Sequence, residues 1–202
     1  MTAAQTPRRG PRERMVFGAA QLIRRDGVAS TGMREVAAYA QAPRGSLQHY
    51  FPGGKEQLVN EAVGWAGSYA GNRIDRFLAA LPTPTPGGLF AEMVRQWTDE
   101  YETAGFAGGC PVAAATVDCA ESTASTREAV AAAFRTWNGS VARALADMGV
   151  PEERAGVLAT LMIGALEGAI LIARAERDVR ALTNVSRELG PLLDGAVHKS
   201  GD

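Results

Sequence analysis

The chain has 202 residues, 46% of them hydrophobic and 21% charged, which fits a soluble globular protein with a sizeable core rather than a disordered chain. The net charge of −1 conceals an asymmetry, because residues 1–60 hold nine Lys/Arg against four Asp/Glu and the remainder is acidic. Two cysteines, Cys110 and Cys119, exclude a disulfide framework, and the polar, basic start MTAAQTPRRGPRER lacks the apolar segment of a secretory signal. The longest apolar run, 157–173, carries Glu167 and is short for a membrane span. Cytoplasmic residence and no membrane partner are therefore expected. A basic first third on an acidic body fits a polyanion-binding module, although a solvated basic N-terminus has the same composition.

Alternation at period two is almost absent and helical periodicity runs throughout. An all-α fold is expected, with about nine helices near 11–26, 33–40, 44–50, 54–80, 86–103, 111–121, 126–148, 151–175 and 178–197. The first places Met15, Ala19, Leu22 and Ile23 on one face, and Gly27 suits its C-terminal cap. Thr31, with Ser30 as its rival, can cap the second helix. The turn QAP at 41–43 ends that helix, since Pro43 cannot continue it. In 44–50, Leu47 leads to Phe51 four residues on, and the two can pack on Val36, Ala37 and Ala40. This buries one side only. The opposite side, Gly45, Ser46, His49 and Tyr50, stays free, with Arg44 and Gln48 along its flank. Pro52-Gly53-Gly54 then stops the helix and Lys55 opens the next.

Those free residues suit a groove-reading helix. Arginine can pair with guanine and glutamine with adenine, each through two hydrogen bonds, while Ser, His, Tyr and Lys55 can contact phosphate oxygens. An ordinary three-helix packing unit with a polar outer face fits the same composition. The residues Ala19-Ala20, Gly27, Thr31, Val36-Ala37, Gly45-Ser46-Leu47, Phe51, Lys55-Glu56 and Leu58 together resemble the N-terminal domain of TetR-family transcriptional regulators. FPGGKEQLV, with its extra glycine before the lysine, and GGCPVAAATVD at 108–118 are similar to the LmrA/YxaF-type subgroup. The resemblance implies an N-terminal three-helix helix-turn-helix domain at 1–60 and a helical ligand-binding and dimerisation domain at 61–202. It also implies a homodimer on a palindromic stretch of double-stranded operator DNA. By position it implies DNA contacts from Thr31, Arg34, Arg44, Gly45, Ser46, Gln48, His49, Tyr50 and Lys55. The family usually carries tyrosine at position 48 and often histidine at 50, so Gln48 and Tyr50 point to an altered operator preference.

In the body of the chain, 157–173 is apolar almost all round and must be covered on several sides. Gly164 and Gly168 are four apart and permit a close helix approach. Leu182, Val185, Leu189, Leu192 and Leu193 follow on the last helix. A homodimer through helices near 151–175 and 178–197 is expected, paired as a four-helix bundle, although two core helices of a monomer would show this pattern too. Glu167 inside the apolar run needs a partner or a raised pKa if buried. It either lines a ligand pocket or the dimer seam, with Arg174 or an arginine from another helix as a candidate partner, or faces solvent in a groove. The resemblance implies a small-molecule effector site within helices 54–80, 86–103, 111–121 and 126–148. The candidate ligand-binding residues are Trp65, Tyr69, Met93, Trp97, Tyr101, Phe106, Cys110, Phe134, Trp137 and Glu167, any of which could instead be plain core. They suit a lipophilic or aromatic effector, and no arginine or histidine cluster in the sequence points to an anionic one.

No catalytic, metal or cofactor motif is present. His-Glu-x-x-His, Gly-x-Ser-x-Gly and CxxC are all missing, and His49 and His198 stand apart. The resulting expectation is a ligand-responsive repressor, not an enzyme, without metal or cofactor. An activator of the same fold, or a thiol-based redox sensor acting through Cys110 and Cys119, is the alternative.

Overall fold

A computed structural model of the chain describes residues 10–43, 45–119 and 124–197. Every regular element among the described residues is helical: α1 (Pro11–Ser30), α2 (Met33–Tyr39), α3 (Ser46–Tyr50), α4 (Gly54–Asn72), α5 (Ile74–Ala80), α6 (Pro86–Ala104), α7 (Pro111–Cys119), α8 (Ala124–Asp147), α9 (Glu152–Glu176) and α10 (Arg180–Asp194). All nine expected stretches appear. The single helix expected over 54–80 is two, because the axis breaks at Arg73 between α4 and α5.

Local signals explain most boundaries. Pro11 opens α1, where a missing N–H costs nothing, and Glu13 accepts a hydrogen bond from the Gly10 N–H at 3.1 Å. Near the end of α1, Gly27 takes φ +83°, a left-handed backbone that a side chain would strain. The cap of α2 is Gly32, whose N–H donates to Glu35 at 3.0 Å, and not Thr31 or Ser30 as expected. Thr31 is 3% exposed, and its hydroxyl donates to the Gly27 carbonyl at 2.7 Å. Pro86 opens α6, and the Thr85 hydroxyl accepts from the Gly88 N–H at 3.0 Å.

The core runs continuously from the N-terminal helices into the body. Met15, Ile23, Val36, Leu47, Phe51 and Leu58 are buried at one end, and Phe90, Met93, Leu145, Met162, Leu166 and Ile170 at the other. The broadest helix pair is α4 on α8. A Cβ added at Gly67 would stand 2.7 Å from Ala133, so the glycine is what lets these two helices approach so closely. Around that pair, α9 packs on α8, α10 packs on α6 and α9, and α1 packs on α4 and α7. By length and composition α9 could cross a membrane, but Leu158, Met162, Ile163, Leu166 and Ile170 are buried in the bundle. Its outer face leaves Val157, Leu161, Leu171 and Ile172 exposed, and Leu192 of α10 is exposed as well.

Candidate functional site

The first candidate surface is the helix-turn-helix. The α2 helix ends with Ala40, whose carbonyl accepts from the Arg14 guanidinium of α1 at 3.1 Å. Gln41 then adopts φ +51°, and the Ala42 N–H donates back to Ala37 at 3.0 Å, which turns the chain sharply. In α3, Leu47 faces inward at 6% exposure, and Phe51 just beyond the helix is 1% exposed. The guanidinium of Arg12 lies over the Phe51 ring at 5.4 Å and pairs with Glu61 of α4 at 2.6 Å. This one-sided burial leaves Gly45, Gln48 and His49 exposed and Ser46 and Tyr50 half-buried, with Arg34 exposed on α2. The rings of His49 and Tyr50 meet edge to face at 5.1 Å. Arg44 lies outside the described residues. Lys55 donates to the Ala29 carbonyl at 3.1 Å, which ties the start of α4 to the end of α1 and leaves two ammonium hydrogens free. Thr31 is the exception among the expected contacts. It is buried and its hydroxyl hydrogen is committed, so it braces the motif from beneath.

The second is a partly open cavity of about 400 Å³ lined by residues of α1, α4, α5, α6, α7, α8 and α9. Six expected residues line it: Trp65, Tyr69, Met93, Trp97, Cys110 and Trp137. Trp65 stacks on Tyr69 at 5.1 Å, and Phe17 of α1 meets the Trp65 ring edge at 5.3 Å. Sequence reasoning missed Phe17, Gln21 and Arg24, which belong to a helix assigned to the DNA-binding unit. It also missed Arg73, Phe77, Gln96 and Glu100. The Gly71-Asn72 pair was the available signal for the helix boundary at Arg73, a half-buried residue that reaches the cavity edge. Contrary to the expectation from sequence, two arginines from distant segments meet at this cavity.

Four expected residues do not line it. Tyr101 is 1% exposed and sits behind the wall, 5.8 Å from Trp97 and 4.9 Å from Phe106, ring to ring. Phe106 and Phe134 are half-buried elsewhere in the core. Glu167, one residue beyond the lining Leu166, is half-buried, but both of its carboxylate oxygens are shut off from solvent with only the Cys110 thiol beside them as a weak donor. Burial raises its pKa to about 7, and the neighbouring Cys110 thiol opposes the shift only in part. Burial first, and then the Glu167 charge, push the Cys110 thiol well above its ordinary value, and burial raises the Tyr101 hydroxyl to about 12. Arg174, one of the candidate partners of Glu167, instead donates to the Phe106 carbonyl at 3.4 Å and the Ala107 carbonyl at 3.0 Å. Among the described residues, no group of three or more His, Cys, Asp or Glu is placed to hold a metal ion.

Two fastenings join the cavity to the helix-turn-helix. Arg24 of α1 donates to the Gly109 carbonyl at 2.9 Å and pairs with Glu100 of α6, while the Gly109 N–H donates to the Arg24 carbonyl at 2.8 Å. At the other end of α7, the Asp118 carboxylate accepts the Val28 N–H at 2.6 Å, just past the Gly27 kink. The α7 helix is therefore fixed to α1 at both ends. Its first residues, Pro111 and Val112, line the cavity.

Comparison with known proteins agrees with this layout. Residues 17–62 match the family model described as bacterial regulatory proteins, tetR family. Residues 86–188 match the one described as transcriptional regulator LmrA/YxaF-like, C-terminal domain. The chain is 40% identical over 193 residues to the uncharacterized HTH-type transcriptional regulator Rv0196 of Mycobacterium tuberculosis, across 91% of this chain and 94% of that one. It is 28% identical to the HTH-type transcriptional regulator LmrA of Bacillus subtilis, across 90% and 96%. A solved TetR transcriptional regulator from Legionella pneumophila superposes with a TM-score of 0.78 at 18% identity, covering 93% of this chain and all of that one. With a short third helix whose outer face stays exposed and a body matched over residues 86–188, this chain belongs to the TetR family of bacterial transcriptional regulators, in its LmrA/YxaF-like branch.

Proposed function

We propose that the chain is a ligand-responsive repressor that binds a palindromic operator as a homodimer and is released by a small lipophilic or aromatic effector. The observation that carries this reading is the dual use of α1. Its Phe17, Gln21 and Arg24 wall the cavity, while its Arg14 and Lys55's acceptor Ala29 hold the helix-turn-helix in place. Contents of the cavity therefore press on the helix that orients α3. We take the DNA-binding unit to end near residue 60, inside α4, which carries on into the cavity wall.

In the bound form, Gly45, Ser46, Gln48, His49 and Tyr50 meet the major groove, with Arg44 beside them, and Arg34 and Lys55 reach the phosphates. The exposed apolar face of α9, with Leu192 of α10, supports pairing with a second copy. The effector acts through its preference for the released state. Moving the population from mostly bound to mostly free needs several kcal/mol of that preference. The thiol alternative is disfavoured at Cys110, since a buried thiol held well above its ordinary pKa forms little nucleophilic thiolate. The side chain of Cys119 lies outside the described residues.

The test is fluorescence anisotropy of duplexes selected from a random pool, titrated between about 50 and 200 mM salt. Affinity should fall steeply as counterions compete for the phosphates. A flat response would refute the proposed interface.

A further inference from the structure

We propose that the cavity is specific for an aromatic carboxylate, with the Arg73 guanidinium as the receptor for the anionic group. This deepens the effector reading above and rests on it. The aromatic half of the assignment comes from the walls. All three tryptophans of the chain, Trp65, Trp97 and Trp137, line this one cavity.

The anionic half comes from a charge imbalance. Two arginines and one glutamate line the cavity, which leaves one positive charge in excess. Arg24 is already committed, since Glu100 takes its terminal nitrogen at 2.5 Å and Gly109 its Nε at 2.9 Å. Arg73 has no carboxylate partner among the described residues. Its Nη1 donates to the Tyr69 hydroxyl at 2.8 Å, and its guanidinium sits 5.5 Å from the Tyr69 ring centre and 5.1 Å from that of Phe77. Its Nε is buried with no acceptor.

The pattern of use matters. With Nη1 occupied, the Nε–Nη2 edge is the one left over, and that edge presents two parallel N–H groups matched to the two oxygens of a carboxylate. The Tyr69 and Phe77 rings already crowd the guanidinium, so its freedom is reduced before an anion docks. A buried N–H without an acceptor is costly to the unliganded protein. A turn of the Arg73 side chain that brings this edge into the cavity lets a bound carboxylate supply the missing acceptor. A neutral amide of the same shape would set its own NH2 against a donor edge.

The test uses 2-naphthoate and 4-biphenylcarboxylate, each against its neutral primary amide, with tryptophan quenching of the full-length protein as the readout. Because every tryptophan faces the cavity, quenching reports occupancy there. Either acid should bind roughly 10- to 100-fold tighter than its amide, as expected for a charge-assisted bidentate pair. The preference should vanish in Arg73→Gln and fall only in part in Arg73→Lys, which keeps the charge but loses the fork. Equal binding of acid and amide by the wild-type protein overturns the anion assignment and leaves the cavity as a neutral-ligand site. So does an acid preference that survives in Arg73→Gln. Failure of all four probes to bind overturns the whole assignment. An acid preference that leaves operator binding unchanged upholds this inference and refutes the effector reading instead. The acid–amide comparison in the wild-type protein stands even if the variants fail to fold.

Discussion

Replacing Glu167 by glutamine should remove a pH dependence of stability that the fold itself creates. The carboxyl oxygens are buried beside the Cys110 thiol without a charged partner, and burial raises the pKa from 4.5 to about 7. Between those two values the folded protein keeps a proton that the unfolded chain has released. The unfolded state binds fewer protons there, so stability falls as pH rises from about 4.5 to about 7 and then levels off. At 1.36 kcal/mol per unit, the gap amounts to roughly 3 kcal/mol. The titratable neighbours do not obscure it. Cys110 and Tyr101 both stay protonated through this range, because burial pushes their pKa values upward. Glu167→Gln preserves shape and cannot ionise. The assay is urea unfolding at fixed protein concentration, followed by tryptophan fluorescence, at about pH 5 and about pH 8. The variant should lie within ~1 kcal/mol of wild type at the acid end and be more stable by roughly 2–3 kcal/mol at the alkaline end. Parallel pH curves for the two proteins would show that the carboxyl is not buried unpaired and would refute the reasoning.

Three further outcomes are expected. Phe51→Ala removes a ring that is 1% exposed and lies beneath Arg12, and should destabilise the protein by roughly 3–5 kcal/mol in urea unfolding. Gln48→Ala should weaken operator binding by roughly 1–3 kcal/mol and relax the preference at one base pair per half-site, read by anisotropy on a set of operator variants. The double variant Leu171→Glu, Ile172→Glu places charge on the exposed apolar face of α9 and should run as a monomer in analytical ultracentrifugation. Retention of the dimer would move the interface elsewhere.

The helix-turn-helix was legible from sequence because its determinants are local. The four-residue spacing of Leu47 and Phe51, the small residues Ala37 and Ala40, and Pro43 each act within one turn. The aromatic half of the cavity was legible for a similar reason, since Trp65, Trp97 and Trp137 sit on long helices whose inner faces follow from periodicity. The polar half was not. Arg24 looks like a solvent-facing arginine of α1 until α7 is packed against it, and Arg73 looks like one more surface charge on a long helix until that helix breaks. Glu167 was recognised as anomalous, but the candidate partner Arg174 bonds elsewhere. The 105–110 loop offers backbone carbonyls that claim that guanidinium, and loop carbonyls leave no mark in a sequence pattern. Thr31 matched the family motif by position, yet its hydroxyl turns inward to Gly27, a local competition between side-chain and backbone bonding that spacing does not reveal.

The bond from the Val28 N–H to Asp118 bears on how freely such proteins can be recombined. The peptide near the end of α1 takes its acceptor from a residue 90 positions away, on α7. A chimera that grafts residues 1–60 onto a foreign body would orphan that donor at the kink unless the recipient supplies an oxygen at the same spot. The segment matched by the N-terminal family model is continuous in sequence but not self-contained in hydrogen bonding. Grafts that retain an acidic or amide side chain at the equivalent of Asp118 should transfer operator recognition intact, and grafts that lack it should carry a loosened helix end into every contact that segment makes.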